Sequence, residues 1–223
     1  PLVLLLDEVD ALVGDTLISL LRQLRAGYPN RPQQFPQTVM LCGVRDIQDY
    51  RIQSAESKAV ITGGSAFNIK AKSLRLGDFN QAEVHLLLHE HTQETGQVFT
   101  PEALALIWEL TQGQPWLVNA LAYHVCFRQP EGRDRSRPVT VDLIDQAKEY
   151  LIINRVTHLD QLADKLREDQ VRRVIEPMLA GTLMEAATED DRQYLVDLGL
   201  LRRDNTGGLV VANPIYREML PRA

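Results

Sequence analysis

The sequence predicts an α/β chain in which a parallel-sheet portion gives way to helices alone, and the helices end beside a β-hairpin. Three observations predict it. Two unbroken apolar runs, Leu2–Leu6 and Thr38–Val44, flank an amphipathic helical stretch, and strands buried on both faces of a parallel sheet read as such runs. From Asn80 onward the apolar residues recur at helical spacing only. Near the carboxyl end, Leu200–Asp204 and Leu209–Ala212 flank Asn205-Thr206-Gly207-Gly208, the composition of a hairpin turn.

Taken in order, the first run ends abruptly in Asp7 and Glu8. Gly14-Asp15 offers a turn and an N-cap, Leu17, Leu20, Leu21 and Leu24 mark one helical face, and Gly27 supplies the stop. Tyr28–Pro36 holds three prolines and reads as a loop. The second run, Thr38–Val44, ends at Arg45-Asp46. Strand, helix, strand in that order implies parallel pairing with a right-handed crossover. Gln48–Gly64 is polar and weakly patterned, and a short third strand is expected over Ser73–Leu76.

The helical region opens with Asn80 as a cap before Val84, Leu87 and Leu88. Thr100-Pro101-Glu102 combines a cap, an N1 proline and an N-terminal acid. That helix carries Leu104, Ile107 and Trp108 and stops at Gly113, after which Pro115 opens another through Cys126. Helices are expected over Val141–Asn154 and over Leu159–Leu179, the latter kinked or split at Pro177. A further helix over Glu189–Leu198 precedes the hairpin. The resulting divisions are 1–79 for the sheet portion, 80–127 and 139–167 for helices, 128–138 for a charged linker, and 168–223 for a winged-helix-like end.

Composition bounds the function. At 223 residues the chain can bury a proper core, and its 44% hydrophobic and 24% charged content is ordinary for a globular protein. A net charge of −6 argues against general affinity for nucleic acid. Cys42 and Cys126 sit in apolar runs and read as buried thiols, which excludes a disulfide framework and a cysteine metal site. With no signal peptide and no membrane-length apolar stretch, a reducing cytoplasm is the expected setting.

Ligands of parallel sheets gather beyond the carboxyl ends of the strands, where Asp7, Glu8 and Arg45 emerge. Two carboxylates there suit a hydrated magnesium ion and an attacking water; the plainer alternative is a solvated acidic strand end. Asp10 is either a contributor of outlying charge or part of the approach to the helix. Arg45 is a planar, permanently charged donor suited to a phosphate, or else a salt-bridge partner of Asp46, Asp7 or Glu8. Gly113-Gln114-Pro115 is a tight break that would leave amides at a helix N-terminus for an anion or a polar ligand edge, or a corner that stacks Trp116 into the core. His85, His89 and His91 have metal-ligand spacing but read as a solvated helix face. Arg128, Arg133, Arg135 and Arg137 are interrupted by Glu131 and Asp134 and read as an exposed linker. Carboxylates at Glu189, Asp190 and Asp191 open the helix that would recognise DNA in a winged helix, so contact with protein is favoured there over DNA.

Leu2–Glu8 resembles the Walker B element of a P-loop ATPase. With the strand ending Gly43-Val44-Arg45-Asp46 and with Gly113-Gln114-Pro115-Trp116, the chain resembles the latter part of an AAA-related ATPase of the STAND group, the signal-transduction ATPases with numerous domains. The resemblance implies a helical lid over 80–127, a winged helix after it, and ATP with Mg2+ as cofactors. It implies that Asp7 orients the magnesium shell through water, Glu8 polarises the attacking water, Arg45 senses the γ-phosphate, and Gly113 and Pro115 pack near the adenine. The chain departs from the family in one respect: no glycine is followed by lysine anywhere in it, so it lacks the phosphate-binding loop of the type Gly-x-x-x-x-Gly-Lys-Ser/Thr. The expectation is a piece of a longer protein whose loop lies upstream of Pro1, with little ATP affinity of its own. Expected partners are other domains of the same chain, or a protein met through the winged helix, with no membrane and no nucleic acid. Two rival functions are an ATP-independent winged-helix adaptor and a DNA-binding regulator.

Overall fold

A computed structural model of the chain describes residues 2–12, 14–46, 51–53, 60–62, 68, 72–156, 158–184 and 186–222. The chain divides into two compact units, Pro1–Arg75 and Leu76–Ala223.

In the first unit, β1 (Val3–Leu6) and β2 (Thr38–Leu41) pair in parallel with Val3 opposite Thr38 and Leu6 opposite Leu41. Parallel pairing follows from the intervening α1 (Gly14–Gly27), because a crossover must return the chain to the same end of the sheet. Leu17, Ile18, Leu21 and Leu24 of α1 are buried with Val9 against Leu4, Leu6, Val39 and Leu41, a stripe at helical spacing that holds helix to sheet. The expectation that both sheet faces are buried is corrected. Leu5 is 65% and Met40 is 52% exposed, since α1 covers one face and no described element covers the other. The same openness leaves Cys42 exposed, against the expected buried thiol, while Cys126 is buried.

The polar stretch after β2 contains two short antiparallel strands, β3 (Arg51–Gln53) and β4 (Val60–Thr62), with Ile52 opposite Ile61; the residues between them lie outside those described. No strand forms over Ser73–Leu76. Its two apolar side chains, Leu74 and Leu76, are exposed, and no described strand offers that segment a ladder.

The second unit follows the sequence closely. Asn80 and Glu83 form a capping box on α2 (Gln81–Thr95), each side chain accepting from the other's amide. Thr100 caps α3 (Pro101–Thr111), and Gln114 caps α4 (Pro115–Tyr123). The chain then widens into a π-helical turn over His124–Arg128, shortening the helix expected to reach Cys126. After α5 (Val141–Ile153) the expected long helix is two, α6 (His158–Lys165) and α7 (Asp169–Ala180). The break falls at Leu166–Glu168 rather than Pro177, which sits inside α7. Pro177 lacks only the amide that would reach back one turn, whereas Glu168 is drawn aside by Lys165, Gln170 and the Tyr194 hydroxyl.

Thr188 and Asp191 form a second capping box on α8 (Glu189–Asp197). The hairpin expected around Asn205 is present, β5 (Leu201–Arg203) against β6 (Leu209–Val211). Its turn is held by the Asp204 carboxylate, which accepts from the Thr206 and Gly208 amides. A last helix, α9 (Pro214–Met219), capped by Asn213, was not expected, and it packs on α3 and α5. Val84 on α2, Ile144 on α5, Leu195 on α8 and Ile215 on α9 belong to one continuous core. No helix among the described residues is long and apolar enough to cross a membrane.

Candidate functional site

The parallel register carries β1 and β2 out at the same edge. Beyond the strands the pairing continues: the Cys42 amide donates to the Leu6 carbonyl at 2.9 Å, and the Val9 amide to the Cys42 carbonyl at 3.0 Å. Asp7 therefore stands level with Cys42, and the acidic pair and the Gly43–Asp46 turn leave neighbouring strands side by side. Asp7 accepts the Glu8 amide at 2.9 Å. Glu8 itself lies in the left-handed region, φ 52° and ψ 41°, which is uncommon for a residue with a side chain. That reversal drops Val9 into the core beneath and leaves both carboxylates exposed. Asp10 accepts the Val44 amide at 3.4 Å, a contact between the two turns. Arg45 and Asp46 are half-buried and both engaged by neighbours.

The chemistry of the donors fits a hard divalent cation. Among the described residues no three His, Cys, Asp or Glu side chains converge as a cage. A magnesium ion at this edge would take one carboxylate, from Asp7, and fill its octahedron with water and phosphate oxygens.

Gly113 and Pro115 belong to the second unit, where their corner is tightly made. Gly113 has φ +82°, and a Cβ there would collide with the Phe79 carbonyl oxygen. The Phe79 amide donates to the Gly113 carbonyl at 2.9 Å. The amides expected to be open are occupied: Gly113 donates to the Thr111 hydroxyl, Gln114 to the Thr111 carbonyl and Leu117 to the Gln114 side chain. The corner therefore offers a ligand shape rather than these amides. Trp116 is half-buried and lies 5.0 Å from the His158 ring. Burial lowers the His158 pKa, and its Nε2 stands 2.9 Å from the Tyr216 hydroxyl.

Sequence reasoning missed Gln97, the hub of the second unit. It is 1% exposed, and its amide nitrogen donates to the carbonyls of Gly132, Arg137 and Asp134 at 2.9, 3.1 and 3.3 Å. Its oxygen accepts Arg135 at 2.6 Å. The stretch expected to be an exposed linker is exposed at Arg128, Arg133 and Arg137 but clamped through its backbone, and Arg135 is half-buried. His91 also belongs to this cluster, with Nε2 3.0 Å from Gln97 and 3.1 Å from Arg135, so only His89 of the three histidines is on an exposed face as expected. A lone glutamine carries no sequence pattern that would have revealed this.

No known protein-family profile matches the chain, and no curated protein matches it in sequence. Solved structures do. A Walker-type ATPase of Pyrococcus abyssi is similar at a TM-score of 0.61 and 16% identity, over 98% of this chain and 63% of that one. The Holliday junction branch migration motor RuvB of Thermotoga maritima aligns at a TM-score of 0.49 and 18% identity, over 98% of this chain and 69% of that one. The chain thus spans less than two thirds of the Pyrococcus protein's length, and at these identities the likeness speaks for architecture. The fold is P-loop NTPase-like, a small parallel sheet accompanied by many helices.

Proposed function

We propose that this chain supplies the magnesium-and-water side, the lid and the C-terminal part of an ATP-dependent switch protein of the AAA/STAND kind. The observation that carries the reading is the Val9–Cys42 hydrogen bond at 3.0 Å, which seats Asp7, Glu8 and the turn bearing Arg45 at one edge of a parallel sheet. Phosphoryl transfer needs positioned charge more than covalent participation. In this reading Asp7 orients the metal's water shell, Glu8 holds the attacking water, and the Arg45 guanidinium meets the γ-phosphate. Gly113 and Pro115 shape the adenine contact, and a phosphate-binding loop comes from sequence outside these residues. Residues 168–223, with three α-helices and a hairpin among those described, serve as a winged helix that meets a protein partner. Arg203 is paired there with Glu189 at 2.9 Å and Arg202 donates to the Ala212 carbonyl at 3.2 Å, so both basic groups of the hairpin are engaged within that stretch.

The test is steady-state ATP turnover by the protein that carries this chain together with its phosphate-binding loop. Glu8→Gln should lower kcat by about a hundredfold or more while ATP binding persists, because the water loses its positioning group. Turnover unchanged by Glu8→Gln refutes the assignment.

A further inference from the structure

Two sets of arginines in the second unit contrast. Arg167, Arg172, Arg173, Arg192 and Arg203 each pair with a carboxylate within 3.5 Å. Arg128, Arg133, Arg135 and Arg137 have no such pair among the described residues, although Glu131 and Asp134 lie between them in sequence. The short contacts of Asp134 are with Ser136, whose amide it accepts at 3.1 Å and whose hydroxyl at 2.6 Å, while the Arg137 charge acts on it from farther off. One ten-residue loop of an acidic chain therefore sets four guanidinium groups against two carboxylates, Glu131 and Asp134, and carries an excess of positive charge.

That loop starts from an exposed aromatic pair. Tyr123 and Phe127 are 47% and 50% exposed, and their rings stack at 5.3 Å and 24°. The π-helical turn over His124–Arg128 adds a residue to the helical turn, and such turns are frequent at functional sites. The Arg128 guanidinium lies 5.4 Å from the Tyr123 ring centre and that of Arg135 lies 5.0 Å from Phe127. Arg135 is held in turn by Gln97, which sets its guanidinium beside Phe127. Loop and rings adjoin, and Gln97 ties the loop down through the Gly132, Asp134 and Arg137 carbonyls.

Half-exposed rings with cations at their margins suit a ligand that alternates planar groups and negative charge. Single-stranded nucleic acid has that composition: bases stack on aromatic side chains while basic residues follow the backbone. We propose that this surface binds single-stranded nucleic acid, with bases against Tyr123 and Phe127 and phosphates met by Arg128, Arg133 and Arg137. The net charge of −6 conceals this local positive excess because the chain's surplus of acids lies elsewhere.

The experiment is fluorescence anisotropy of a labelled oligothymidylate titrated with the whole chain at several salt concentrations. Binding should weaken as salt rises, and Arg128→Ala with Arg133→Ala should reduce the salt slope by about 1.4, the release expected for two phosphates on a single strand. Phe127→Ala should weaken binding about tenfold at fixed salt, and Phe127→Trp should preserve it. Tyr123→Ala, which leaves Arg135 and Gln97 untouched, should weaken binding as well, with an unchanged melting temperature certifying the fold. Absence of binding at low salt overturns the proposal. So does binding indifferent to the ring variants, or displacement by polyglutamate at equal charge as effective as by unlabelled oligothymidylate, which would make the surface a reader of acidic protein.

Discussion

Replacing Gln97 removes the hydrogen bonds of the 129–138 segment at their common point. Its amide hydrogens serve three carbonyls, the shortest contacts being 2.9 and 3.1 Å, and its oxygen accepts a charged donor at 2.6 Å. Two neutral bonds contribute about 1 kcal/mol each and the charge-assisted one about 1.5 kcal/mol or more. Gln97→Met keeps nearly the same volume but offers neither donor nor comparable acceptor, so it should cost about 3–4 kcal/mol through hydrogen bonding alone. Gln97→Ala should cost slightly more, because a cavity is added. For a unit of this size the loss lowers the melting temperature by roughly 10 °C. The assay is urea unfolding followed by tryptophan fluorescence, since Trp108 and Trp116, the only tryptophans, both report on the helices of this unit. A Gln97→Met protein within about 0.5 kcal/mol of the parent would refute the view that this side chain holds the segment.

Other perturbations test other parts of the structure. Gly113→Ala must place a Cβ against the Phe79 carbonyl oxygen at positive φ, and should destabilise the second unit by about 2 kcal/mol or more in the same urea assay. Asp191 is held below the usual carboxylate range, chiefly by its bonds from Arg173. Its contribution is therefore complete above the unfolded value of about 3.9 and is lost as pH falls through the lower native one; Asp191→Asn should flatten the acid limb of stability against pH below about 4. Cys42 is exposed, whereas burial pushes the Cys126 thiol up against the opposing influence of Arg135. An aromatic disulfide reagent should therefore titrate one thiol rapidly in the native protein and the second only in denaturant.

Where a residue acts within its own turn, the sequence was legible. Asn80, Thr100 before Pro101, and Asn205 through Gly208 each announce a local hydrogen-bond pattern, and each element formed where expected. The strand ends were legible for a related reason, since a helix between two apolar runs dictates parallel pairing and brings Asp7, Glu8 and the Arg45 turn to one edge. What escaped depends on partners distant in sequence. Apolar content in Leu2–Leu6 does not say how many faces are covered, and Leu5 lies open. The helix break falls at Leu166–Glu168, where Glu168 meets Lys165, Gln170 and the Tyr194 hydroxyl twenty-six residues away, and not at Pro177, whose local signal the sequence displays. The Gln97 clamp reaches residues 35 to 40 positions ahead, and the spacing of charges in the 128–137 stretch cannot show that its guanidinium groups form no close ion pair among the described residues.

The seating of α9 on α3 and α5 bears on how motion would travel through the second unit. Ile215, Tyr216 and Met219 are buried in the same interior as Ile107 and Leu117, so the last helix is welded to the first ones and does not trail from a tether. A rotation of α3 and α4 by a few degrees would swing the tip of the β5–β6 ribbon with them, as the far end of a stiff lever magnifies a small turn at its fulcrum.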